Sequence, residues 1–196
     1  MLIEMRSMLI FCRRLLRVSE DWKRLVESMP SLWRHLDLSQ AKSRVSFKAI
    51  KACVVRSRGN MTHATMFRWD AGQHDALAYA TSRCKRLEHL HLRDGFGNVA
   101  LTSAVATASN LKTLIISPDR GVSAWEVTEL LAKLPHLERA EFLNVWTSGT
   151  PPDWTGDLSS LRALTLHAAQ DPRDGSPLRL RLVCASSRMH GYESVH

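Results

Sequence analysis

The sequence lacks the short motifs on which most catalytic centres are built. It holds no G-x-S-x-G elbow, no phosphate loop and no H-E-x-x-H helix, so the commonest hydrolase, nucleotide and metalloprotease sites are excluded. Glycine is missing where a dinucleotide site would need it. Asp94-Gly95-Phe96-Gly97-Asn98 carries two glycines without the third, and reads as a turn. Cysteine is scarce: Cys12, Cys53, Cys84 and Cys184 form no C-x-x-C pair and lie in or beside apolar segments. They read as buried free thiols of a reducing compartment, cytoplasmic or nuclear. No long apolar run is present either. Met1 to Phe11 is broken by Glu4 and Arg6 and followed by Arg13, Arg14 and Arg17, which suits neither a signal peptide nor a membrane span.

What is present is a globular composition, 44% hydrophobic and 23% charged over 196 residues, enough for a continuous core. The formal charge of +8 is unevenly placed. Residues 1–60 hold 13 Lys/Arg against 5 Asp/Glu, and residues 61–196 hold 14 against 14, so all the excess sits at one end. A locally basic segment suits phosphate, an anionic surface or an acidic protein patch, and charge alone does not choose among them.

The first apolar periodicity is helical. Over residues 8–29, Leu9, Phe11 or Cys12, Leu15, Leu16, Val18, Trp22, Leu25, Val26 and Met29 recur at spacings of three and four, with charged residues opposite. Ser19 with Asp21 is a candidate cap, so one long helix and two short ones meeting near Val18 fit equally well. Pro30 stops the run.

A different pattern, L-x-x-L-x-L, then returns six times. Its best copy is Leu87-Glu88-His89-Leu90-His91-Leu92, where alternation places Leu90 and Leu92 inward and His89 and His91 outward on a short strand. The first copy lies in Ser31 to Ser39, read as a strand with Leu36 and Leu38 inward. The fourth position runs Leu36, Ala64, Leu90, Leu114, Ala140, Leu164, and the sixth runs Leu38, Met66, Leu92, Ile116, Phe142, Leu166, both at intervals of 28, 26, 24, 26 and 24. Periods of 20 to 29 residues with this pattern are those of leucine-rich repeats. The expected fold is therefore an α/β solenoid: a curved parallel sheet with helices outside and a short N-terminal helical cap.

Between the strands lie helical segments. Ser46–Arg56 puts Phe47, Ile50, Cys53 and Val54 on one face, 73–84 puts Leu77, Ala80 and Cys84 together, and 123–134 gives Trp125 or Val127, Leu130, Leu131 and Leu134. Ser123 followed by Glu126 is a capping box. Residues 100–108 form a weaker, Ala-rich helix, and 147–156, with Pro151 and Pro152, a loop. The organisation expected is a cap over 1–30, about six repeats over 31–171 and an irregular tail over 172–196, with 178–185 a further strand and 186–196 disordered.

Val18-Ser19-x-x-Trp22, Leu25-Val26 and Ser31-Leu32-Trp33-Arg34-x-Leu36-Asp37-Leu38-Ser39 together resemble the C-terminal half of an F-box, of the kind fungal F-box proteins carry directly before leucine-rich repeats. The resemblance covers about residues 11–39. It implies a substrate adaptor of an SCF ubiquitin ligase, with the F-box docking on a Skp-type linker subunit and the repeats capturing a protein substrate. Leu15, Val18, Trp22, Leu25 and Trp33 are the linker contacts it implies. Family members begin with a Leu-Pro pair, residues 1–10 contain no proline, and a missing upstream exon is the expected reason.

The outward positions of the repeat strands form the expected concave, partner-binding face: His35, Asp37, His63, Thr65, Phe67, His89, His91, Arg93, Thr113, Ile115, Arg139 and Glu141, continued by Ser117, Leu143, Ala163, Thr165 and His167. Aromatic, basic and apolar side chains mixed over a broad surface suit a protein or peptide ligand. His89-x-His91 lacks the further ligands that zinc requires, and His35, His63, His74, His136 and His167 read as scattered singly. A broad face offers no enclosed catalytic pocket, so no enzyme activity, cofactor or metal is expected. A plain repeat scaffold or truncated fragment without ligase function is the alternative. Nucleic-acid binding through Arg13, Arg14, Arg17, Lys23, Arg24, Lys42, Arg44, Lys48, Lys51, Arg56 and Arg58 is a weaker one, because Trp22, Trp33 and Phe47 fall at core spacing rather than between the cations. Leu90→Asp should unfold the central repeats, whereas His89→Ala should cost almost nothing.

Overall fold

Among the described residues, Ser19 caps the first helix. Its hydroxyl accepts the Trp22 backbone N–H at 3.2 Å, and Glu20 and Asp21 place negative charge on the first turn of helix α1 (Glu20–Ser28). The computed structural model describes residues 19–39, 45–67, 74–93, 103–117, 121–146, 159–168, 179–183 and 193–195. The start at Ser19 is thus the observed one, and residues 8–18 of the expected helix lie outside the described residues.

Pro30 does more than stop α1. It opens a 3-10 helix, Pro30–Trp33, where its fixed φ is already suitable. The stretch from Ser31 expected to be extended is therefore helical at its start, and strand β1 is only His35–Asp37. The tight turn brings Trp33 inward, where its Nε1 donates to Val26 O at 3.0 Å. Helix α2 (Phe47–Ser57) is capped by Ser46, and α4 (Ala124–Ala132) by the reciprocal Ser123 and Glu126 pair. Between them lie α3 (His74–Arg83) and a helical turn at 103–106.

The fold is α/β, with seven strands running parallel. Strands β1, β2 (His63–Phe67), β3 (His89–Arg93), β4 (Thr113–Ser117), β6 (Arg139–Trp146) and β7 (Ala163–Ala168) lie side by side in that order, and β5 (Val122–Ser123) pairs with the far end of β6. Register follows the two apolar columns: Leu36 sits opposite Ala64, then Leu90, Leu114, Ala140 and Leu164, while Met66 sits opposite Leu92, then Ile116, Phe142 and Leu166. A third column, Trp33, Met61, Leu87, Leu111, Leu137 and Leu161, precedes the first of them by three residues and is likewise buried. All but Trp33 join Ile50, Val54, Leu77, Ala80, Val127, Leu130 and Leu131 of the helices in one core, so the helices cover a single face of the sheet.

A repeated hydrogen bond fixes each step. The carbonyl just before a strand accepts two N–H groups from the next: Arg34 from Thr62 and His63, Thr62 from Glu88 and His89, Glu88 from Lys112 and Thr113, Lys112 from Glu138 and Arg139, and Glu138 from Arg162 and Ala163. Equal bonding at five successive steps holds the strands in one register despite unequal connections.

The parallel series ends at β7. Strand β8 (Arg179–Val183) pairs with it antiparallel, and β9 (Glu193–Val195) pairs antiparallel with β8. Residues 169–178 are too few for the dozen or more that a parallel crossover needs. The strand expected at 178–185 is thus present and reversed, and 193–195, expected in a disordered tail, is paired. Strand β5 was not expected; two residues carry no periodic signal. No helix among the described residues is long and apolar enough to cross a membrane.

Candidate functional site

The sheet face turned away from the helices carries the outward residues, and register sorts them into rows. One row is His35, His63, His89, Thr113, Arg139 and Ala163; the next is Asp37, Thr65, His91, Ile115, Glu141 and Thr165; a third holds Phe67, Arg93 and Ser117. Most of these side chains are half-buried by one another, with Arg93 and Arg139 exposed. His35 and His63 are therefore not scattered. Their rings form a continuous row with that of His89: His35 and His63 are tilted by 34° with centroids 4.4 Å apart, and His63 and His89 are stacked with centroids 4.2 Å apart.

The surroundings of His35, His63 and His91 favour neutral imidazole. Burial, followed by the charge of Arg34 and the neighbouring His89, lowers the pKa of His35. His63 is lowered to about 4, first by burial and then by His89 and His35, against the opposing charge of Glu88. His91 is lowered by burial and Arg93, against Glu141 and Asp37. Thr62 Oγ1 lies 2.9 Å from His63 Nδ1, while His35 Nδ1 is buried without a hydrogen-bond partner. Further along, Arg139 lies 3.6 Å from Glu141, and His167 Nε2 lies 3.5 Å from the same carboxylate without forming a hydrogen bond.

Beside the rows runs a feature that motif reasoning missed. Positions just before the strands place Glu88 3.2 Å from Lys112, and Glu138 3.9 Å from Arg162. The alternating signs were available in the sequence as a column two residues before the fourth position of the last four repeats: Glu88, Lys112, Glu138 and Arg162. Such exposed pairs define the rim of the face more than they stabilise it.

The residues implied as linker contacts divide. Trp22 and Leu25 are 46% and 49% exposed, and Met29, at 41%, extends them along α1. Trp33 is buried, packed with Val26 under the Arg56 guanidinium 5.1 Å above its ring, while Arg56 also pairs with Glu27. Leu15 and Val18 lie outside the described residues. The aromatics expected at core positions divide likewise: Trp22 is at the surface because α1 turns Val26 toward α2, and Phe47 packs edge-on against Tyr79 at the rim of the helix layer. Of the basic residues, Lys48, Lys51 and Arg58 are exposed on or beside α2, whereas Arg56 is engaged with Glu27 and Trp33.

Chemically, this face offers stacked neutral rings, hydroxyls and paired charges. Burial raises the Cys84 thiol pKa, against its hydrogen bonding with the Ser57 hydroxyl and at Met61, so that sulfur is not poised as a nucleophile. Among the described residues no cluster of three or more His, Cys, Asp or Glu is placed to hold a metal. No family model matches the chain, and no curated protein matches it.

Proposed function

We propose that the chain is a non-catalytic protein–protein interaction module, a leucine-rich-repeat solenoid whose helix-free concave face takes a protein partner. In this reading it is similar to the substrate-recognition subunits of SCF ubiquitin ligases, and α1 belongs to an F-box-like cap that meets a Skp-type linker subunit. One observation carries the interaction reading: six parallel strands in constant register present a continuous half-buried face that no described element covers. Its mixture of rings, charges and Ile115 suits a polypeptide better than a small molecule.

The cap is supported by a second observation. Trp22, Leu25 and Met29 expose three apolar side chains at spacings of three and four along α1, while Val26, Trp33 and the Glu27–Arg56 pair join that helix to α2. A firmly seated helix with an apolar outer stripe is suited to dock on another protein. Co-precipitation with a Skp-type linker tests this, comparing the chain with a form extended upstream and with a Trp22→Ala, Leu25→Ala variant. Binding by either parent form, lost in the variant while its folding is intact, is expected. No binding by either form overturns the adaptor reading and leaves a repeat scaffold without ligase function.

A further inference from the structure

The His35–His63–His89 row extends the reading of this face, because three imidazoles in ring contact across adjacent strands are an unusual way to fill an outward column. Neutral rings 4.2–4.4 Å apart attract one another by stacking and bury much of each other's surface. Protonated rings at the same distance repel, and each gains an N–H that needs an acceptor. His35 Nδ1 is buried with none.

We infer that this row is a proton-operated latch: neutral, it holds β1, β2 and β3 together as one end of the recognition face, and on acidification it opens that end. Every charged neighbour bears on the latch. Arg34 and Asp37 flank it on β1; Glu88, His91 and Arg93 lie on or just before β3; and Glu141 approaches His91 from β6. Glu88 is the anion beside His63, and it is shared with Lys112 at 3.2 Å, which weakens its power to hold a proton on the ring. Asp37 and Glu141 favour the charged form of His91, which belongs to the adjacent row and not to the latch.

The direction follows from linkage. The folded state prefers neutral His63, so the unfolded chain binds more protons between the ordinary value of 6.5 and the folded value of about 4. Stability is fully present above 6.5 and is lost as pH falls toward 4. Release of a partner on acidification rests on the interaction reading above, but the latch does not, and it can be measured on the free chain.

Thermal unfolding of the full chain at pH 7.5 and 5.0, alongside His63→Phe, tests it, because phenylalanine keeps a ring in the stack and cannot titrate. The wild-type midpoint should fall by roughly 5 °C more than that of the variant across this interval. NMR titration of the wild-type imidazoles gives a reading that does not depend on the variant folding. His63 should remain neutral at pH 5.5, and amide exchange, corrected for intrinsic rates, should rise first in β1 to β3 as pH falls. Equal losses in both proteins, or a His63 midpoint at or above 6.5, would overturn the latch while leaving the interaction reading untouched.

Discussion

At the scale of single residues, neighbours on β3 answer to different environments. Leu90 is 1% exposed between Ala64 and Leu114, so Leu90→Asp places a carboxylate in the core with no partner. We expect a loss of about 4 kcal/mol or more, read as a collapsed denaturation midpoint. His89→Ala removes a half-buried ring stacked on His63. Its cost should be about 1 kcal/mol, more than the negligible value that an outward position suggests by itself. Equal losses at both positions would show that the two faces are misassigned. Trp33→Phe keeps most of the buried volume but deletes the Nε1 bond to Val26 O, and should cost about 1 to 2 kcal/mol in the same assay. The inward columns were legible because strand alternation and a steady period both act on apolarity. The histidine row was less so: His35 and His63 stand alone in the sequence and His89 pairs by spacing with His91, and only column alignment brings residues 26 to 28 positions apart into contact.

At the scale of elements, the helix starts were the most legible features, because caps are local chemistry. Ser19, Ser46 and Ser123 each accept a backbone N–H three residues on, and Glu126 returns the bond to Ser123. Ser123→Ala should therefore destabilise the chain by about 1 kcal/mol, measured by urea denaturation, and Glu126→Ala should lose part of the same amount rather than add to it. Independent, additive losses would mean that the box does not act as a unit. Where sequence reasoning failed, the deciding interaction was not local periodicity. The 3-10 turn at Pro30–Trp33 depends on a proline suited to a helix start and on a tryptophan with a tertiary acceptor. Strand β5 depends on the end of β6, where a register shift between Phe142 and Val145 and the left-handed Asn144, at φ 59°, redirect the chain. A non-glycine residue in that region carries strain that a local pattern does not announce.

At the scale of the whole molecule, each parallel strand is joined to the sheet chiefly through its neighbours in chain order, so what happens at one end reaches the other only step by step. One end is β1, where the histidine row begins. At the other end β8 and β9 turn antiparallel and cover the outer edge of β7. Strand β8 lies where a further strand was expected and β9 in the stretch expected to be disordered; their direction was not legible, because it is set by the length of the connection and not by the apolar pattern of the strand itself. Their position gives them a defined role. An uncovered β7 would present a row of unpaired backbone groups alongside Leu164 and Leu166, a template for a second chain. A chain ending at residue 171 should thus keep β1 to β7, with near-unchanged circular dichroism per residue, and yet self-associate as concentration rises, seen as a growing mass by light scattering. If that shortened chain stays monomeric at the same concentrations as the full one, β8 is not what closes the sheet.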